Sequence, residues 1–257
     1  MMDDIDEAKD WLGNDVKCES CPHQPMLAAG LCRLKHACVN DRYARRIDRF
    51  FNWNKGLADA YVAHPHFEVR AIAAKHASVF LLPPLLDDPE ETVRWNAARR
   101  LPKRYCLRLR NDPHREVRIR IVALLEDAEL VPMMGDPDYY VRLVIARQVA
   151  PALLGRLIHD NEAEVRRVVA RRCPREWLLQ LAEDPDPLVR LEVAKRLAPD
   201  LLLRLVHDQD WRVRYEAASR IPAAKLNELS GDTDSLVREL VRGRLSQENN
   251  RRRDVLA

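Results

Sequence analysis

Three observations in this 257-residue chain predict an all-α solenoid of alternating α-helices and short 3₁₀ helices, with a small Cys-rich domain at its front. A Val-Arg pair recurs every 24 residues, eight times: Val69-Arg70, Val93-Arg94, Val117-Arg118, Val141-Arg142, Val165-Arg166, Val189-Arg190, Val213-Arg214 and Val237-Arg238. A fixed short period means one unit stacked on itself, each copy burying its apolar face only against its neighbours. Leucines return thirteen and sixteen residues after the valine, as in Leu154/Leu157, Leu178/Leu181 and Leu202/Leu205. Four of the six cysteines crowd into the segment 18–38.

Each element of the repeat follows from its residues. Five positions before the valine stands Asp in seven copies (Asp88, Asp112, Asp136, Asp160, Asp184, Asp208, Asp232) and His64 in the first. Pro often follows, as at Pro89, Pro113, Pro137 and Pro185, so Asp-Pro predicts a helix N-cap and first helical residue. Apolar residues four, five and eight positions after the valine (Ala97, Ala98, Leu101; Val169, Ala170, Cys173; Ala217, Ala218, Ile221) form one helical stripe. Basic residues at plus six and plus seven (Arg99-Arg100, Arg171-Arg172, Lys195-Arg196) suit the negative end of the helix dipole. Pro102, Pro174 and Pro222 then stop the helix, as do Pro151 and Pro199 one residue later. The expected helix is about 12–13 residues, or about 20 Å long. The residues left before the next Asp leave room only for a tight turn, and leucines three apart suit 3₁₀ geometry rather than an alternating strand.

Composition sets the class. Hydrophobic residues at 47% and charged residues at 32% describe a soluble chain able to bury a continuous core. No apolar run reaches the roughly 18 residues of a membrane span. The segment 1–15 is acidic (Asp3, Asp4, Asp6, Glu7, Asp10, Asp15 against Lys9), the opposite of a secretory leader, so a cytoplasmic, reducing location is expected. The net charge of +3 is too small to imply nucleic acid by itself. No P-loop, dinucleotide fingerprint, zinc-protease or nucleophile-elbow motif occurs. His159-Asp160 and His207-Asp208 carry repeat aspartates and read as structure, so no catalytic residues are proposed and the chain reads as a non-enzyme.

The Leu-Leu-x-x-Leu stretches (Leu153-Leu154…Leu157, Leu201-Leu202…Leu205) resemble the start of a leucine-rich repeat whose strand-and-Asn part is replaced by Asp-Pro-x-x-x-Val-Arg. In this the chain resembles the leucine-rich repeat variant (LRV) family, in particular members with an N-terminal [4Fe–4S] domain. The repeat resemblance covers 64–245 and implies a right-handed superhelix of paired α and 3₁₀ helices.

The cysteines follow the pattern Cys18-x2-Cys21-x10-Cys32-x5-Cys38. Four thiolates suit a tetrahedral zinc ion or an iron–sulfur cluster. The wide second pair favours a body larger than one ion, though spacing alone leaves zinc open. The resemblance implies a [4Fe–4S] cluster on Cys18, Cys21, Cys32 and Cys38. Pro22 follows a ligand candidate, and Gly30 is expected to let the backbone approach. His23 and His36 are alternative ligands that read better as loop or neighbouring groups. Cys106 and Cys173 occupy apolar repeat positions and read as core.

The expected organisation is a Cys-rich iron–sulfur domain at 1–40, a bridging degenerate repeat at 41–63 (Ile47, Phe50, Phe51, Trp53, Leu57, Tyr61), eight repeats at 64–245, and a frayed polar tail at 246–257. Arginine one after each valine forms a column that the aspartates six residues earlier are expected to neutralise. Over 64–245, 31 Lys+Arg against 28 Asp+Glu favour internal pairing over a phosphate-binding ladder. The functional expectation is a binding scaffold with a redox or redox-sensing cluster, docking a protein partner on the repeat surface. The rivals are a nucleic-acid-binding solenoid with a structural cluster or zinc, and a metal that serves only as a folding staple. Trp95 and Trp211 are the only tryptophans near the column, too few for a base-stacking platform.

Overall fold

The computed structural model describes residues 7–256, with side chains through Arg251. Asp3, Asp4 and Asp6 of the acidic segment, and the side chains of Arg252 and Arg253, lie outside the described residues. The contacts group the chain into two units, 1–125 and 126–257. Among the described residues there is no strand beyond two isolated bridges, Lys9 with Asp15 and Arg33 with Ala37.

The first unit holds α1 (Gln24–Ala28), α2 (Ala44–Trp53), α3 (Phe67–His76), α4 (Glu91–Ala98), the one-turn α5 (Lys103–Cys106) and α6 (Arg115–Val122). Between them run 3₁₀ segments at Lys55–Tyr61, Val79–Leu81, Pro83–Asp87 and Leu107–Asn111. The second unit holds α7 (Asp127–Leu130), α8 (Tyr139–Gln148), α9 (Ala163–Arg172), α10 (Pro187–Arg196), α11 (Trp211–Arg220) and α12 (Ser235–Leu256). Its 3₁₀ segments are Val131–Gly135, Pro151–Leu157, Arg175–Leu181, Leu201–Leu205 and Ala223–Leu229. The alternation is the expected one.

The apolar register is also as expected. Val93, Ala97, Ala98 and Leu101 in one copy, and Val165, Val169, Ala170 and Cys173 in another, are buried together with Leu178 and Leu181 of the short turns. Cys106 and Cys173 are core residues. The bridging segment is a complete α–3₁₀ pair. Asp41 accepts from the Tyr43 N–H, Tyr43 precedes α2, and Ile47, Phe50 and Phe51 are buried.

The helix start differs from expectation. Every repeat helix begins two residues before its valine, and its N-cap is the third residue before it: His66, Glu90, His114, Asp138, Glu162, Asp186, Asp210 and Asp234. Asp138, Asp186, Asp210 and Asp234 accept from the N–H two residues on, as a cap does. The aspartate five before the valine instead closes a separate turn upstream: Asp88 accepts from Glu90 N at 3.0 Å, and Asp184 from Asp186 N at 2.9 Å. That turn takes the residues assigned to the first helical turn, so the repeat helices before α12 span 8–10 residues. The last helix errs the other way. α12 runs 22 residues, through the segment expected to fray.

The arginine column is paired, but with a different aspartate. Arg70 Nε and Nη2 donate to both carboxylate oxygens of Asp88, eighteen residues on, at 2.7 and 2.9 Å. Arg94 holds Asp112 in the same way. In the second unit Arg142 holds Asp160, Arg166 holds Asp184, Arg190 holds Asp208 and Arg214 holds Asp232. The third nitrogen of each arginine turns back to the aspartate six residues earlier, but to its carbonyl: Arg190 Nη1 reaches Asp184 O at 2.7 Å. These carboxylates are 1–7% exposed, so the bidentate, charge-assisted geometry offsets a real desolvation cost. In Asp232 the Arg214 hydrogen bonds hold the carboxyl below its ordinary range. In Asp88 burial opposes ionisation, yet the bonds from Arg70 prevail and the shift is also downward.

The arginines expected to serve the end of their own helix reach the neighbouring one instead. Arg100, Arg196, Arg220 and Arg244, seven after the valine, reach the carbonyls that end the preceding helix. Arg196, for example, donates to Ala170 O and Cys173 O, both at 2.7 Å. Their charge serves the neighbouring helix terminus more than their own.

Candidate metal centre

The four clustered cysteines sit on a chain of tight turns. Cys21 N donates to Cys18 O at 3.2 Å, and Gln24 N to Cys21 O at 3.0 Å, which leads into α1. Gly30, at φ +71°, ends that helix, and Leu31 N returns to Met26 O at 2.9 Å, setting the approach to Cys32. A Cβ on Gly30 would meet no atom of the chain within 4 Å, so within the chain it is the left-handed backbone that calls for glycine here. Lys35, at φ +61°, turns the hairpin-like segment closed by Arg33 N to Ala37 O at 2.9 Å. Cys38 N then donates to Arg46 O of α2, tying the last cysteine to the bridging repeat.

All four cysteines line one small cavity of about 20 Å³, together with Val16, His23, Leu34, Ala37, Val39 and Phe50. Each of the four is a free cysteine of intermediate exposure, so the cavity lies near the surface. Among the described residues no three of His, Cys, Asp or Glu converge to hold one metal ion. Four N–H groups point at sulfur: His23 N and Asn40 Nδ2 each lie 3.4 Å from Cys21 Sγ, and the backbone N–H groups of Asn40 and Asp41 face Cys38.

Without a cation the thiols of Cys18, Cys32 and Cys38 resist ionisation. Burial, then the charge of Cys21, raises Cys18 and Cys32, and burial pushes Cys38 up to about 11. Thiolates gathered here repel one another, and an iron–sulfur core relieves that repulsion.

The two candidate histidines separate. His23 faces the cavity, and its Nε2 is engaged by the Tyr61 hydroxyl. His36 turns away, with Arg49 Nη1 2.9 Å from its Nδ1 and its ring near Trp53. Burial lowers the pKa of both; at His36 the Arg49 and Arg33 charges add to it. Neither Tyr61 nor Asn40 was singled out from sequence as part of this site. His159 and His207 are exposed beside ladder aspartates, in polar recesses floored by Arg–Asp pairs.

Residues 8–60 match a family model described as the LRV protein FeS4 cluster, and residues 163–186 match the leucine rich repeat variant model. A solved structure described as a leucine-rich repeat variant with a novel repetitive protein structural motif is 40% identical. It superposes with a TM-score of 0.84 over 90% of this chain and 99% of that one. An uncharacterized 27.7 kDa protein in the nifB 3' region of Rhodobacter capsulatus is 50% identical over 96 residues. That match covers 37% of this chain and 39% of the relative's length.

Proposed function

Because the chain belongs to the leucine-rich repeat variant family and carries its [4Fe–4S] segment, we propose that it is a non-enzymatic, cytoplasmic redox module. In this reading the repeat array docks a protein partner. Cys18, Cys21, Cys32 and Cys38 hold the cluster. When bound, such a cluster supplies reversible one-electron chemistry at a potential set by hydrogen bonds to sulfur, charge and solvent exposure. The chain contributes those settings. His23 N and Asn40 Nδ2 donate to the Cys21 sulfur. Phe50, Ala37 and Val39, all buried, give the cavity an apolar wall.

The observation that carries the reading is the one cavity shared by four half-buried cysteines. The arginine column, the feature a nucleic acid would use, is engaged by the chain's own aspartates at Arg70, Arg94, Arg142, Arg166, Arg190 and Arg214. Among the described residues, no helix is long and apolar enough to cross a membrane.

Spectroelectrochemistry of anaerobically purified protein, with iron and sulfide analysis, tests the reading. Broad absorbance near roughly 400 nm, about four irons per chain and a reversible one-electron step between about −700 and +450 mV are expected. A colourless protein with one zinc, or a cluster inert over that range, overturns it.

A further inference from the structure

Six ladder arginines present the same edge to the same occupant. Nε and Nη2 grip both oxygens of one aspartate, while Nη1 is anchored on two carbonyls of its own turn. Arg214 shows the full set: Asp232 at 2.7 and 2.8 Å, Asp208 O at 2.8 Å and Gln209 O at 3.2 Å. Arg238 is anchored alike, its Nη1 donating to Asp232 O at 2.5 Å and Thr233 O at 2.9 Å. Its gripping edge has no partner among the described residues. Eighteen residues on stands Leu256, and α12 continues to that residue instead of giving way to another 3₁₀ turn. Beside Arg238, Leu236 is 49% exposed, whereas Leu188 at the same repeat position is half-buried.

The geometry points to Arg238 as a docking site for a partner protein that presents a carboxylate on a Leu-x-x-Asp turn. The occupant is specified by the filled copies. Each of the six ladder aspartates follows a leucine by three residues, and its N–H donates to that leucine's carbonyl, as Asp208 N does to Leu205 O at 3.2 Å and Asp232 N to Leu229 O at 3.1 Å. The turn thus aims the carboxylate and offers a leucine to the apolar side. A second copy of this chain is a poor occupant. Its six ladder aspartates of this kind are already gripped, Asp136 is also partnered, and the first slot holds His64. Anchoring on Asp232 O and Thr233 O holds the fork in place before the partner arrives, so little side-chain freedom is lost on binding.

This inference rests on the reading of the array as a docking surface and deepens it. The test uses full-length protein and a synthetic peptide of residues 222–234, Pro-Ala-Ala-Lys-Leu-Asn-Glu-Leu-Ser-Gly-Asp-Thr-Asp, with binding measured by calorimetry at low salt. Wild-type protein should bind it, and the peptide carrying Asp232→Asn should bind about ten- to a hundredfold more weakly, the range for a charged hydrogen bond. Arg238→Gln protein should show the same loss for the native peptide and no further loss for the Asn peptide. Absence of binding to wild-type protein, or equal binding by Arg238→Gln, overturns the site. A wild-type dimer in solution that Arg238→Gln dissolves overturns the assignment to a separate partner. Cluster reduction is read independently, so an inert cluster with intact peptide binding condemns the redox reading alone.

Discussion

Between residues 7 and 40 only Ala37 and Val39 are buried apolar residues, whereas a single repeat such as 165–181 buries Val165, Val168, Val169, Ala170, Cys173, Leu178 and Leu181. The two regions therefore hold their shape by different means. The repeats rest on apolar burial plus a periodic set of ion pairs, each supplied by the chain. The front segment has almost no core, and its turns converge on four sulfurs. Regions with so little to bury are ordinarily held by a metal or disulfides. Here the metal centre stands where a core would be.

Breaking the front should therefore leave the array standing. Cys21→Ser is expected to abolish the absorbance near roughly 400 nm and to make 7–40 susceptible to limited proteolysis. Far-UV circular dichroism should fall only slightly, because few of the helical residues lie there; a collapse of the whole helical signal would show that the two regions are not separable in this way.

The next effect probes the array. Asp184→Asn leaves the Arg166 guanidinium buried opposite a neutral amide and should cost about 3–5 kcal/mol in denaturant unfolding. The cluster absorbance should not change. A loss below about 1 kcal/mol would mean that the ladder pairs behave as exposed surface bridges do.

A smaller, graded effect comes with acid. Asp88 and Asp232 have carboxyl groups held below their usual range, and Asp210, bonded by Arg212, is lowered to about 2. A depressed pKa contributes stability that is full above the unfolded value near 4 and is lost as pH falls through the folded value. The share of array stability carried by these aspartates should thus be flat above about pH 5 and decline from about pH 4 toward about pH 2, followed by circular dichroism and separate from the slope at about pH 6 that the lowered pKa values of His64, His66 and His76 add. A decline already present at pH 6 would point to groups other than these aspartates.

What the sequence disclosed, and what it hid, follows from the chemistry of particular residues. The repeat period, the buried stripe and the 3₁₀ leucines were legible because burial imposes them on every copy. The helix start was misread because an aspartate accepting an N–H two residues on is written identically for a helix cap and for a free-standing turn. Asp186 does the first and Asp184 the second. The partner of each ladder arginine was hidden by arithmetic. In a 24-residue period, six residues back and eighteen residues forward name the same column, and only coordinates tell the carbonyl of Asp184 from the carboxylate of Asp208 around Arg190. At the front, the four cysteines were legible as a set. The engagement of His23 by Tyr61, 38 residues away, was not, since no period relates them.

Because every gripping arginine binds its own turn and the next turn's carboxylate at once, the array counts in whole units. Duplicating or excising 24 residues returns each guanidinium to an equivalent aspartate, while losing one residue between Arg190 and Asp208 shifts that aspartate out of reach of the fork. Length is thus free to change in quanta, and small slips are penalised at once, so a protein built this way can lengthen or shorten its surface without redesigning any joint.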